Sequence, residues 1–91
     1  MPRYVVERHL PGLTADQLKA AATAAKQTTL AMTKEGTPVR YLRSTYVPGE
    51  QKCVCLFEAS SADAVKQANE RARLSFERIH EALFVTAEEV G

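Results

Sequence analysis

The sequence has almost no excess of either charge. Its 91 residues hold 12 Lys and Arg against 11 Asp and Glu, a formal net charge of +1 with both histidines neutral. Neither a basic nucleic-acid patch nor an acidic tail is expected from that balance. Long apolar runs are also missing, and none approaches the ~20 residues of a membrane helix. The opening Met-Pro-Arg-Tyr-Val-Val-Glu-Arg interleaves charge with apolar residues and does not read as a signal peptide. Linkers, internal repeats and low-complexity stretches are absent. The expectation is one domain over residues 1–91 with a polar tail at 86–91, cytoplasmic, with neither nucleic acid nor membrane as partner. A hydrophobic content of 45% with 25% charged residues is a globular profile.

Cysteine is scarce: Cys53 and Cys55, with Val54 between them. On a strand the two share a face roughly 6.5–7 Å apart, at or beyond the upper edge of disulfide geometry. Reduced thiols are expected. Catalytic signatures are missing as well. There is no G-x-S-x-G elbow, phosphate loop, C-x-x-C pair, H-E-x-x-H or dinucleotide fingerprint.

What is present reads as alternating strands and helices. Arg3 to Leu10 is β-rich and closes at Pro11-Gly12, with Tyr4, Val6, Arg8 and Leu10 on one face and Arg3, Val5, Glu7 and His9 on the other. Thr14-Ala-Asp-Gln17 is a capping box, and the alanine-rich stripe from Leu18 to Met32 predicts a helix over 15–34 that Gly36 ends. Residues 39–47 and 51–58 read as strands joined at Pro48-Gly49, a type II turn pattern. Ser60 is the expected cap of a second helix, Leu74 and Phe76 are expected to fold back onto the core, and 78–85 reads as the last strand.

The order β-α-β-β-α-β is the ferredoxin-like α+β unit, a four-stranded antiparallel sheet in order 4-1-3-2 with two helices on one face. Strand three, Cys53-Val-Cys-Leu-Phe57, is apolar on both faces. Exposing such a surface is uncommon in monomers, so the uncovered face is expected to pack on a second copy, giving a homodimer in the form of an α+β barrel. Strand three is taken to run parallel to strand one, which would carry Glu58 to the end where His9 and His80 meet.

The metal-capable side chains are Glu7, His9, Cys53, Cys55, Glu58, His80 and Glu81. Imidazole with thiolate suits Ni, Zn, Cu or Fe. The bland readings compete with this one: buried cysteines as small hydrophobes, surface histidines, and Glu7 paired with Arg43 or Arg78.

The first residues Met-Pro-Arg-Tyr-Val-Val-Glu-Arg, the stretch Lys52-x-x-Cys55-x-x-Glu58-Ala59 and Glu77-Arg78-Ile79-x-Glu81 resemble a small bacterial ferredoxin-like family of unknown function that includes nickel-binding proteins. The resemblance runs from residue 2 to about 85. It implies a dimer, and it matches Glu7 and Cys55 to the family's strand-one Glu and strand-three Cys. Phe57 stands where a tyrosine is common, and Tyr41 where an aromatic opens strand two. Two departures stand out: Arg43-Ser44 replaces a frequent His-Ser pair, and Ala68 or Asn69 replaces a frequent helix-two His.

Two functions follow as expectations. One is binding of nickel or another divalent transition metal for sequestration or buffering, not catalysis, with Glu7, His9, Cys55 and His80 as ligands. The alternative is a dimeric α+β barrel that takes a small anionic or aromatic ligand, as a monooxygenase- or isomerase-like enzyme would, with Tyr41, Arg43, Tyr46 and Phe57 lining the pocket.

Overall fold

A computed structural model describes residues 1–91. The elements are β1 (Arg3–His9), α1 (Ala15–Lys34), β2 (Val39–Val47), β3 (Lys52–Ala59), α2 (Ala62–Arg71) and β4 (Arg78–Ala82), with single 3₁₀ turns at Pro48–Glu50 and Ala87–Glu89. Local signals explain most boundaries. The Thr14 hydroxyl accepts from the Gln17 amide at 3.1 Å, and the Gln17 side chain accepts from the Thr14 amide at 2.9 Å, satisfying two donors that the first turn of α1 leaves free. At the other end Gly36 takes φ +102°. The Thr37 amide bonds back to Met32 O and the Gly36 amide to Thr33 O, a Schellman closure. The cap of α2 is Ser61, one residue later than expected, its hydroxyl accepting from the Ala64 amide. The β2–β3 connection also differs from a type II turn. Pro48–Glu50 form a 3₁₀ turn, and the left-handed residue is Gln51 at φ +54°.

The sheet order is β2-β3-β1-β4. Every neighbouring pair is antiparallel, including β1 with β3. The expected parallel pairing of strands one and three is therefore corrected. A hairpin reverses the chain after β2, so β3 must oppose both β2 and β1. Glu58 consequently sits opposite Arg3 at the start of β1, not beside His9.

The expected α+β barrel is also corrected. The four strands form an open sheet with β2 and β4 as its free edges. Those edges are separated by the two central strands, and closure around a filled interior takes about eight strands. The ferredoxin-like sandwich stands; the closed barrel does not.

One sheet face is buried beneath the helices. Tyr4, Val6, Val39, Cys53, Cys55, Phe57 and Ala59 meet Ala25 and Met32 of α1 and Ala64, Val65 and Ala68 of α2. Small residues on both helices let them lie close to the strands. Leu74 and Phe76 pack on this core as expected. The last strand stops at Ala82, three residues short of the expected end. The chain beyond it turns across the open face, where Phe84 lies under the Arg3 guanidinium at 4.6 Å. Glu89 closes this return with a 3.1 Å ion pair to Arg3.

Candidate functional site

Sheet parity divides the candidate ligands into two groups. On β1, Glu7 and His9 face the open side with Arg3 and Val5, while Tyr4, Val6 and Arg8 face the helices. On β3, Cys53, Cys55 and Phe57 face the helices. Glu7 and Cys55 therefore stand on opposite faces of the sheet, and one ion cannot touch both within a chain. His80 is opposite Val5 and diagonal to Glu7. It lies about 13 Å along the sheet from the level of His9, four residues at ~3.3 Å each. His9 is exposed at the strand end, and the register does not bring it to His80. No group of three or more His, Cys, Asp or Glu is arranged to hold a metal ion.

On the open face, Glu7 Oε2 is 2.8 Å from His80 Nε2, and Glu7 Oε1 is 3.1 Å from Lys52 Nζ. These partners, not Arg43 or Arg78, hold the carboxylate. Lys52 foremost, then His80, lower the Glu7 pKa below its ordinary value. Arg71 does the same for Glu35, and Arg3 for Glu89. A carboxylate whose folded pKa is depressed stabilises the fold above its unfolded pKa, and that contribution is lost as pH falls through the folded value. Urea midpoints are thus expected to hold steady above about pH 4.5 and to fall progressively below it. All three pairs are exposed, so the effect is small and shrinks with added salt. A midpoint that rises on acidification contradicts these pairings.

The buried face holds a second constellation, which includes two residues that sequence reasoning passed over. Arg8 is 3% exposed. Its Nε donates to Cys55 Sγ at 3.4 Å, one terminal nitrogen to Ser75 O at 3.0 Å, and the other to Asn69 Oδ1 at 2.6 Å. Asn69, equally buried, donates onward to Val65 O at 2.8 Å. Cys55 Sγ also lies 3.1 Å from Ser44 Oγ and 3.8 Å from Cys53 Sγ. Tyr41 OH is 2.7 Å from Ser44 Oγ.

The donor assignment follows from charge. A guanidinium cannot accept, so an anionic sulfur is its natural buried partner. The Cys53 thiol donates to Cys55 and, with Arg8 and Ser44, holds the Cys55 pKa well below the ordinary thiol range. The same contact and burial push Cys53 upward. Burial raises the Tyr41 pKa, keeping its hydroxyl protonated and able to donate to Ser44. Both shifts run the same way, drawing the proton toward Cys53 and negative charge toward Cys55 beside Arg8.

A bulge builds this arrangement. The β2–β3 register slips between Tyr41 and Arg43, leaving Leu42 without an opposite residue. Strict alternation from Tyr41 would turn Arg43 inward and Ser44 outward. The extra residue reverses that parity, so Tyr41, Ser44 and Tyr46 share the helix side while Arg43 points out. Under strict alternation Tyr46 would face away from Tyr41, and the bulge puts the two on one side. The alternative pocket residues are likewise divided. Phe57 is 1% exposed and packs edge-on against Tyr41 at 5.6 Å, Tyr46 OH donates to Leu10 O at 2.7 Å, and Arg43 is exposed, near Thr45. A shallow cleft of about 650 Å³ on the open face, walled by Arg3, Arg40, Arg43, Leu56 and Phe84, is the largest concavity. Glu58 lies in it with Arg3 at 3.2 Å and Arg40 at 3.6 Å.

The signal for Arg8 was in the sequence. It is the lone charge in the apolar set Tyr4, Val6, Arg8 and Leu10. Asn69 gave no such signal, because its inward direction depends on how α2 is rotated on the sheet.

Residues 4–82 match the family model described as nickel responsive protein SCO4226-like. The chain belongs to the SCO4226-like family. A crystal structure of SCO4226 from Streptomyces coelicolor A3(2) superposes with a TM-score of 0.75 at 30% identity, over 92% of this chain and 99% of that one. Among curated proteins none matches. The association of the SCO4226-like family is thus with a response to nickel, not with a named reaction. No helix of this member is long and apolar enough to cross a membrane.

Proposed function

We propose that this SCO4226-like protein binds Ni²⁺ as a sequestering or responsive protein, starting from Glu7 and His80, and that it does so as a homodimer. The observation that carries the reading is the 2.8 Å contact between a carboxylate and an imidazole on the open sheet face, in a family associated with nickel. Carboxylate and imidazole together suit a divalent transition metal. One chain supplies two donors. A second copy laid over the same face would add its own Glu7 and His80, and would cover the half-buried Val5, Leu42, Val54 and Leu56. His9, on the same face, is the remaining candidate in reach of a neighbouring copy. Cys55 takes no part in this set.

Carboxylate and imidazole nitrogen must both be free of protons to hold the ion, so Ni²⁺ competes with protons and binding weakens as pH falls. Calorimetric titration of untagged protein with Ni²⁺ is expected to show saturable binding. H80A and E7Q should each weaken it by at least about tenfold, the lower end of what even an outer-shell partner costs. Sedimentation is expected to show a dimer with Ni²⁺ present. Unchanged Ni²⁺ affinity in both variants would overturn the ligand assignment, and a monomer at saturating Ni²⁺ would overturn the shared site.

A further inference from the structure

We propose that Cys53 and Cys55 form a separate buried site for one soft monovalent cation, Cu⁺ in the first instance, with Arg8 as its counter-charge. Four observations carry this inference, and none involves Glu7 or His80.

The first is spacing. The two sulfurs are 3.8 Å apart. With metal–sulfur bonds of about 2.3 Å, the length for another d¹⁰ ion, that separation corresponds to a bent S–M–S angle of about 110°. Both sulfurs could bind one ion without displacing β3. A disulfide, by contrast, requires closure to about 2.05 Å between two residues on one face of a single strand, spaced at the limit of disulfide geometry.

The second is room. A cavity of about 10 Å³ adjoins the sulfurs, bordered by Arg8, Tyr41 and Ser44 and closed by Leu18, Ala21 and Leu74. It is at the lower bound for a single water. That size admits a bare ion and excludes a hydrated one.

Third, the donor set is soft. No imidazole or carboxylate borders the cavity. Thiolates select Cu⁺ over Mg²⁺, Ca²⁺ or Mn²⁺, and the apolar wall keeps water and oxidants away from the lower oxidation state.

The fourth is charge. The Arg8 guanidinium lies 3.4 Å from Cys55 Sγ, so the charge-neutral starting state is a thiolate on Cys55 and one proton on Cys53, 3.8 Å away. Binding is then an exchange: Cu⁺ enters, the Cys53 S–H bond breaks, two Cu–S bonds form, and one proton leaves. The buried charge does not change. A divalent ion in the same exchange would leave an uncompensated positive charge in the core, which is costly. This is the reason for a monovalent ion and against Ni²⁺ at this position.

The test is anaerobic titration with Cu⁺, supplied as its acetonitrile complex, in competition with bicinchoninate. The expected result is one Cu⁺ per chain, one proton released, and X-ray absorption showing only sulfur nearest neighbours. C53A should weaken binding by more than about a hundredfold, exceeding the ~10–100-fold cost of losing an outer-shell partner, while Ni²⁺ binding is unchanged. Nitrogen or oxygen neighbours in the wild-type spectrum would overturn the proposal without reliance on any variant's folding. So would failure of the wild type to compete with the chelator, or a C53A protein that still binds Cu⁺ as tightly.

Discussion

Replacing Arg8 by methionine is expected to lower the unfolding free energy by about 3–5 kcal/mol, the usual cost of breaking a buried charged pair from one side. Methionine approximates the aliphatic stem but removes three hydrogen bonds. Asn69 Oδ1 and Ser75 O lose their guanidinium donors, and Cys55 loses its counter-charge. The sulfur can escape part of the cost by taking up a proton, because a buried group without its partner neutralises sooner than it remains charged. The two carbonyl oxygens have no such route. Whole domains are stable by only about 5–15 kcal/mol, so the variant will be marginal. Urea denaturation gives the loss. Thiolate ultraviolet absorbance at neutral pH reports the network directly. It should be present in the wild type at one thiolate per chain and absent in R8M. A stable R8M protein that retains the thiolate would show that Arg8 does not hold the charge on Cys55.

Phe57→Ala is expected to be comparably severe, at about 3–5 kcal/mol. Phe57 is the largest of the fully buried side chains and sits on a central strand facing both helices. Its loss opens a cavity where the sheet meets the helices, and removes the edge-to-face contact with Tyr41, itself worth about 0.5–1.5 kcal/mol. Tyr41 then loses a constraint on its hydroxyl, which reaches Ser44 and through it Cys55. F57L, which keeps most of the volume, should recover much of the stability. If F57A lowers the unfolding free energy no more than a typical surface substitution, about 0.5 kcal/mol, Phe57 is not the packing centre that its burial implies.

Much of the fold was legible in the chain because the signals are local. The capping box at Thr14 and Gln17, the alanine stripe and Gly36 bound α1 at the residues expected, since caps act within one turn. The antiparallel hairpin was legible from Pro48-Gly49 between two β-rich runs, although the left-handed conformation fell on Gln51. β4 was over-extended. Phe84 looks like a strand residue by alternation, but its place is set by Arg3, at the far end of the sequence.

The candidate ligands were legible by type and not by grouping. Glu7, His9, Cys55 and His80 were all singled out, yet Cys55 faces the helices while the other three lie on the open side. The error came from assuming that chemically compatible residues share a face. Arg8 was placed on the correct face with its apolar neighbours, but its burial was not drawn from that placement.

Composition, periodicity and capping chemistry thus determined the element order, the antiparallel hairpin and the ferredoxin-like class, because each depends on residues within a few positions of one another. Only tertiary structure decided that the sheet stays open, that Glu7 meets His80, and that Ser44 replaces Arg43 beside the Cys55 sulfur. Those outcomes rest on inter-strand register and a single bulge at Leu42, and a shift of one residue sends every later side chain on that strand to the other side of the sheet.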